Sequence, residues 1–98
     1  EDPAQTAKRE LIEEIGMDAQ TLIPRGYIYT TPGFTDEKLW LFEARDLYPS
    51  REYSPDDDEI IETKRVTPDE IRMMIHSGEI IDAKTICIWY RCQGDHEP

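Results

Sequence analysis

Three glutamates on one short helix constrain this chain more than any other feature. Residues 1–17 carry helix-start chemistry: Asp2 as N-cap, Pro3 at the first helical position and Gln5 where a capping box takes Glu or Gln. Gly16 supplies the stop. Ala4, Ala7, Leu11 and Ile15 recur at spacings of three and four, which predicts one apolar stripe facing a core. Glu10, Glu13 and Glu14 stand three and four residues apart, so the spacing predicts carboxylates converging on one face. Like charges at i and i+4 destabilise a helix by about 0.2–0.5 kcal/mol per pair. Such a cluster makes sense if a hard divalent cation sits among oxygen donors. A solvated acidic face is the structural alternative in a chain this acidic. Arg9, four residues before Glu13, is placed to steady that carboxylate.

The stretch Arg9-Glu10-Leu11-Ile12-Glu13-Glu14-Ile15-Gly16-Met17 resembles the core of the Nudix hydrolase signature, and Glu1 stands where that signature takes its first Glu. The resemblance implies an α/β fold, a Nudix-type α/β/α sandwich with a mixed β-sheet, over a domain spanning 1–98. It also implies a divalent-metal pyrophosphohydrolase cleaving a nucleoside diphosphate linked to another group. Glu10 and Glu14, supported by Glu13, would hold Mg²⁺ or Mn²⁺, with Arg9 beside them. The signature's Gly, six positions before Glu1, falls outside the chain. So do the strands that flank the helix and the region such proteins use to dimerise and bind adenine. The expectation is therefore a domain incomplete at its N-terminus, which alone binds metal weakly and turns over substrate poorly, or completes itself by pairing.

Composition narrows the partners. Against 11 Lys and Arg stand 22 Asp and Glu, a net charge of −11, which repels nucleic acid and anionic membrane. A phosphorylated substrate is repelled too unless cations intervene. The 38% hydrophobic content suits one modest domain rather than disorder. No apolar run reaches membrane-spanning length and no signal peptide is visible. Cys87 and Cys92, five apart on an expected helix, point in different directions and predict free thiols in a reducing cytoplasm.

Along the chain, 17–24 reads as a connecting segment and 25–31 as a strand rich in aromatic and β-branched residues. Pro32-Gly33 opens a turn, and 38–46 reads as a second strand antiparallel to the first. Residues 47–55 read as irregular and 60–66 as a third strand. Thr67 and Glu70 form a capping box for a helix over 68–76 carrying Ile71, Met74 and Ile75 inward. A last helix follows Asp82 over 83–92, with Ile86, Trp89 and Tyr90 as packing residues; 93–98 is a polar tail. Tyr27, Tyr29, Trp40 and Phe42 could stack on a base, but strand aromatics read first as core. His76 reads as a helix-end cation rather than a base.

Two further stretches carry chemistry. Thr31-Pro32-Gly33-Phe34-Thr35-Asp36-Glu37 resembles the Pro-Gly loop of the ADP-ribose pyrophosphatase branch of the Nudix family, and Ser77–Thr85 resembles its usual ending. The resemblance places Glu37 beside bound substrate, with Gly33 and Phe34 of the same loop. The acidic run Asp56-Asp57-Asp58-Glu59 does not fit an EF-hand, because Ile60 and Ile61 occupy places needing an oxygen ligand and a Gly. In the resembling family an acid from this loop is the general base; Glu59 is the first choice and Asp57 the next. The expectation is hydrolysis of ADP-ribose or a related nucleoside diphosphate sugar to AMP and a sugar phosphate, by a homodimer. A non-catalytic interaction or regulatory module is the alternative.

Overall fold

The computed structural model describes residues 2–52 and 64–93. The chain divides into two units, Glu1–Glu62 and Thr63–Pro98.

In the first unit, α1 (Pro3–Ile15) begins as its sequence dictates. The Asp2 carboxylate accepts from the Gln5 N–H at 2.8 Å, and the Gln5 side chain accepts from the Asp2 N–H at 3.1 Å. Gly16 ends the helix at φ 71°, its N–H donating to the Ile12 carbonyl at 2.9 Å. A left-handed cap of this kind favours glycine because a Cβ crowds the following carbonyl.

Two strands follow, β1 (Met17–Tyr29) and β2 (Lys38–Pro49), paired antiparallel from Met17↔Pro49 to Tyr29↔Lys38. The pairing is longer than the sequence suggests. The 17–24 segment is strand rather than connector, and 47–49 is strand rather than irregular loop. Ion pairs brace the middle of the pairing, one of them across the strands. Arg25 meets Glu43 at 2.9 Å with both side chains largely covered, and Arg45 pairs with the other Glu43 oxygen. The Ser50 N–H donates to the Gly16 carbonyl at 2.9 Å, closing the far end of the hairpin onto the helix exit. The register slips between Pro24 and Tyr27, where Pro24 has no N–H for the ladder and Gly26 takes φ 78°.

α1 packs on this hairpin, and Ile12 and Leu41 are its buried apolar residues, at 7% and 8% exposure. The stripe expected from Ala4, Ala7, Leu11 and Ile15 is therefore rotated toward Ile12: Ala4 is exposed and the others are half-buried. Asp18, also buried, lies opposite Tyr48 and receives the Lys8 ammonium of α1 at 3.5 Å. The strand aromatics are not core. Tyr27, Tyr29 and Trp40 are 39%, 48% and 50% exposed and meet edge-to-face or tilted as a surface cluster, while Phe42 is half-buried. Tyr27 lies 5.7 Å from Tyr29 and 5.0 Å from Trp40, with Lys38 Nζ 4.7 Å above the Tyr27 ring.

The second unit holds α2 (Pro68–Ser77) and α3 (Ala83–Gln93). Thr67 and Glu70 form the capping box, and Gly78 ends α2 at φ 84°. Asp82 caps α3, accepting from the Thr85 N–H at 3.1 Å and hydroxyl at 2.8 Å. Both acids are held below the usual carboxylate range. Glu70 is lowered by the Thr67 N–H and hydroxyl, and Asp82 by the Thr85 hydroxyl and N–H. Ile71, Met74, Ile75, Ile86 and Trp89 are half-buried as the helical spacing requires; Tyr90, expected to pack, is 79% exposed. Among the described residues neither Cys87 nor Cys92 is in a disulfide. The third strand expected over 60–66 lies partly outside the described residues, and its described part, 64–66, is not strand. The helices and the antiparallel pair agree with the expected α/β class, the described residues showing one antiparallel pair of the expected mixed sheet.

Candidate active site

Glu10, Glu13 and Glu14 all ride on the exposed side of α1, whose ends are fixed by the Asp2 box and the Gly16 cap. At about 100° per residue the three carboxylates fan over an arc rather than share a point. Glu10 opens to a cleft of about 400 Å³ lined also by Pro3, Ala7, Lys38, Trp40 and Phe42. Glu13 opens instead to a second cleft, with Gln5, Lys8, Arg9, Ile12 and Glu52. Arg9 Nη1 lies 3.3 Å from both Glu13 oxygens, as the spacing predicted, so Glu13 is already engaged by a cation. Among the described residues neither Glu10 nor Glu14 has an ion-pair partner.

This arrangement revises the expected convergence. Among the described residues no three His, Cys, Asp or Glu side chains gather closely enough to hold one ion. The donor set still suits a hard divalent cation, for Glu10 and Glu14 are exposed carboxylates one turn apart, without a competing cation. Lys8 is drawn the other way, toward Asp18. The Asp18 carboxyl is held below its ordinary range first by the Ala19 N–H, at 2.7 Å, and then by Lys8 and Tyr48, against the opposing effect of burial.

The loop between the strands is ordered by its own hydrogen bonds. The Thr31 carbonyl accepts from the N–H groups of Phe34 and Thr35, at 3.0 and 3.1 Å. Gly33 sits at φ 97°, a conformation that L side chains rarely adopt. Phe34 projects into solvent at 89% exposure. Glu37 is held at the loop's far mouth, its N–H donating to the Thr35 hydroxyl at 3.1 Å and its carboxylate accepting from the Thr30 hydroxyl at 2.7 Å.

Glu59, Asp57, Asp58 and the signature's Glu1 lie outside the described residues. His76 lies in the last turn of α2 and is exposed. Sequence reasoning missed Thr30, and it missed that Lys38 and Trp40 share a cleft with Glu10. Both follow from register: Tyr29 pairs with Lys38, which sets Thr30 and Glu37 facing across the loop mouth.

Comparison with known proteins agrees with the signature. A family model for the NUDIX domain matches residues 1–87. The chain is 41% identical over 86 residues to the ADP-ribose pyrophosphatase of Bacillus subtilis (strain 168), covering 87% of this chain and 46% of that one. It is 36% identical over 87 residues to the methanol dehydrogenase activator of Bacillus methanolicus, covering 88% and 47%. The chain spans about half the length of these curated relatives. With the domain match running from Glu1 through both units to Cys87, and the full Arg9–Met17 signature set on a capped helix, the chain belongs to the Nudix family.

Proposed function

We propose that this chain is the catalytic part of a metal-dependent pyrophosphohydrolase acting on ADP-ribose or a closely related nucleoside diphosphate sugar. One observation carries the reading. The signature acids lie on an exposed, doubly capped helix, with Glu10 and Glu14 unengaged by any described cation and Glu13 tied to Arg9. Similarity to the Bacillus subtilis ADP-ribose pyrophosphatase supports the substrate class.

In this reading Glu10 and Glu14 hold Mg²⁺ or Mn²⁺, and Arg9 fixes Glu13 in support. A bound divalent ion supplies charge neutralisation of the diphosphate and a lowered pKa for the attacking water. Glu59 takes the water's proton. Glu37, with Gly33 and Phe34, receives the substrate at the hairpin loop. The new bond joins the water oxygen to one phosphorus; the bond broken is that phosphorus to the bridging oxygen, which leaves with the other phosphate. ADP-ribose then yields AMP and ribose 5-phosphate. In this reading the working form is a homodimer in the cytoplasm.

The test is a Mg²⁺ and Mn²⁺ titration with ADP-ribose present, following heat and AMP release, beside Glu14→Gln. Binding and turnover that both vanish in the variant support the reading. Metal-independent AMP release, or a variant as active as the parent, overturns it. A second reading rests on the other relative, whose name is that of an activator: a non-catalytic module that acts on another protein. Metal-insensitive association with a partner enzyme, without AMP release, favours it.

A further inference from the structure

We propose that Thr30 is a positioning residue that holds Glu37 ready for substrate, an inference that rests on the substrate role just proposed for Glu37. Two bonds join the same two residues across the loop mouth. The Thr30 N–H donates to the Glu37 carbonyl at 3.3 Å, and the Thr30 hydroxyl donates to a Glu37 carboxylate oxygen at 2.7 Å. The second is a short, charge-assisted bond of the stronger class. It fixes the carboxylate where β1 gives way to the loop, while the Thr35 hydroxyl holds the Glu37 backbone from inside the loop.

Glu37 is exposed, so without this bond its carboxylate would sample several rotamers in water. The Thr30 hydroxyl occupies one carboxylate oxygen and leaves the other free to accept from a sugar hydroxyl. A ligand meeting a carboxylate already fixed loses less rotamer freedom on binding. Thr30 directly follows β1 and its N–H bond to the Glu37 carbonyl is made by the backbone, so removing only its hydroxyl leaves that bond in place. The hydroxyl thus acts on substrate through Glu37.

The experiment measures the dissociation constant of α,β-methylene-ADP-ribose, whose bridging carbon resists hydrolysis, by calorimetry in Mg²⁺ with the whole chain. Thr30→Val, which keeps shape and removes the hydroxyl, weakens binding about 3–10-fold, the range for the net contribution of one typical hydrogen bond. Thr30→Ser restores binding to within about twofold, since it keeps the donor. In a Glu37→Ala background the Thr30→Val change has no further effect. With ADP-ribose itself, KM rises and kcat holds. Equal losses from Thr30→Val in both backgrounds, or failure of Thr30→Ser to restore binding, overturn the inference. Turnover that persists with binding indifferent to Glu37→Ala overturns it while leaving the hydrolase reading standing. Absence of both turnover and analogue binding in the parent chain overturns the two together.

Discussion

Glu13 and Glu14 are neighbours with different employment. Glu13 is engaged by Arg9, which faces both its oxygens, while Glu14 is met by no cation among the described residues. Arg9→Ala frees Glu13 to swing, and metal affinity or turnover falls by about 10–100-fold, the usual range for a residue that orients a ligand. A calorimetric metal titration on the variant checks this. Asp18 gives a prediction of another kind. Its folded pKa is depressed, chiefly by the Ala19 N–H, so its contribution to stability is fully present above the unfolded aspartate value of about 3.9. That contribution is lost as pH falls through the lower folded value. Asp18→Asn therefore lowers the melting temperature at neutral pH, and the gap to the parent closes below about pH 4 as the parent's Asp18 takes up its proton. Thermal melts across pH 2.5–7 would show a constant gap if Asp18 played no such part.

At the scale of the element, capping chemistry does more than propensity. Gly16 and Gly78 both sit in left-handed backbone, at φ 71° and 84°. Gly78→Ala meets no atom within 4 Å, so its cost is conformational alone, about 1–2 kcal/mol. Gly16 is buried at the α1 exit, where its carbonyl also accepts from Ser50, so Gly16→Ala costs at least as much and loosens the hairpin's end. Chemical denaturation of the two variants measures the difference. These caps are also why the helices were legible in the sequence: Asp2-Pro3 with Gln5, Thr67-Pro68 with Glu70 and the two glycines each carry a local signal. The long hairpin was less so. In sequence 17–24 reads as a connecting segment, for its apolar run Leu22-Ile23 is short and Pro24 has no N–H for a ladder. What sustains it is non-local: Arg25 with Glu43, Asp18 beside Tyr48, Ser50 on Gly16. The site divides the same way. The acids of α1 could be named from spacing, but only the packed helix shows Glu13 facing one cleft and Glu10 another.

For the molecule as a whole, charge sets the terms of encounter. A net charge of −11 repels a diphosphate over a distance set by screening. At fixed Mg²⁺, raising NaCl toward physiological strength should hold or increase kcat/KM for ADP-ribose rather than reduce it. A steep fall with salt would mean that a local cationic patch, not the bound ion, draws the substrate in. The same acidity adds a repulsive term to any approach of two exposed Tyr27, Tyr29 and Trp40 faces, and that term fades toward the isoelectric point near 4.4. The clustered rings also carry an optical consequence. With Tyr27 only 5.0 Å from Trp40, light absorbed by the tyrosine passes to the indole and leaves as tryptophan emission. Opening of the hairpin parts the rings, so tyrosine emission returns; in a chain with Trp89→Phe and Tyr90→Phe that signal follows the first unit alone.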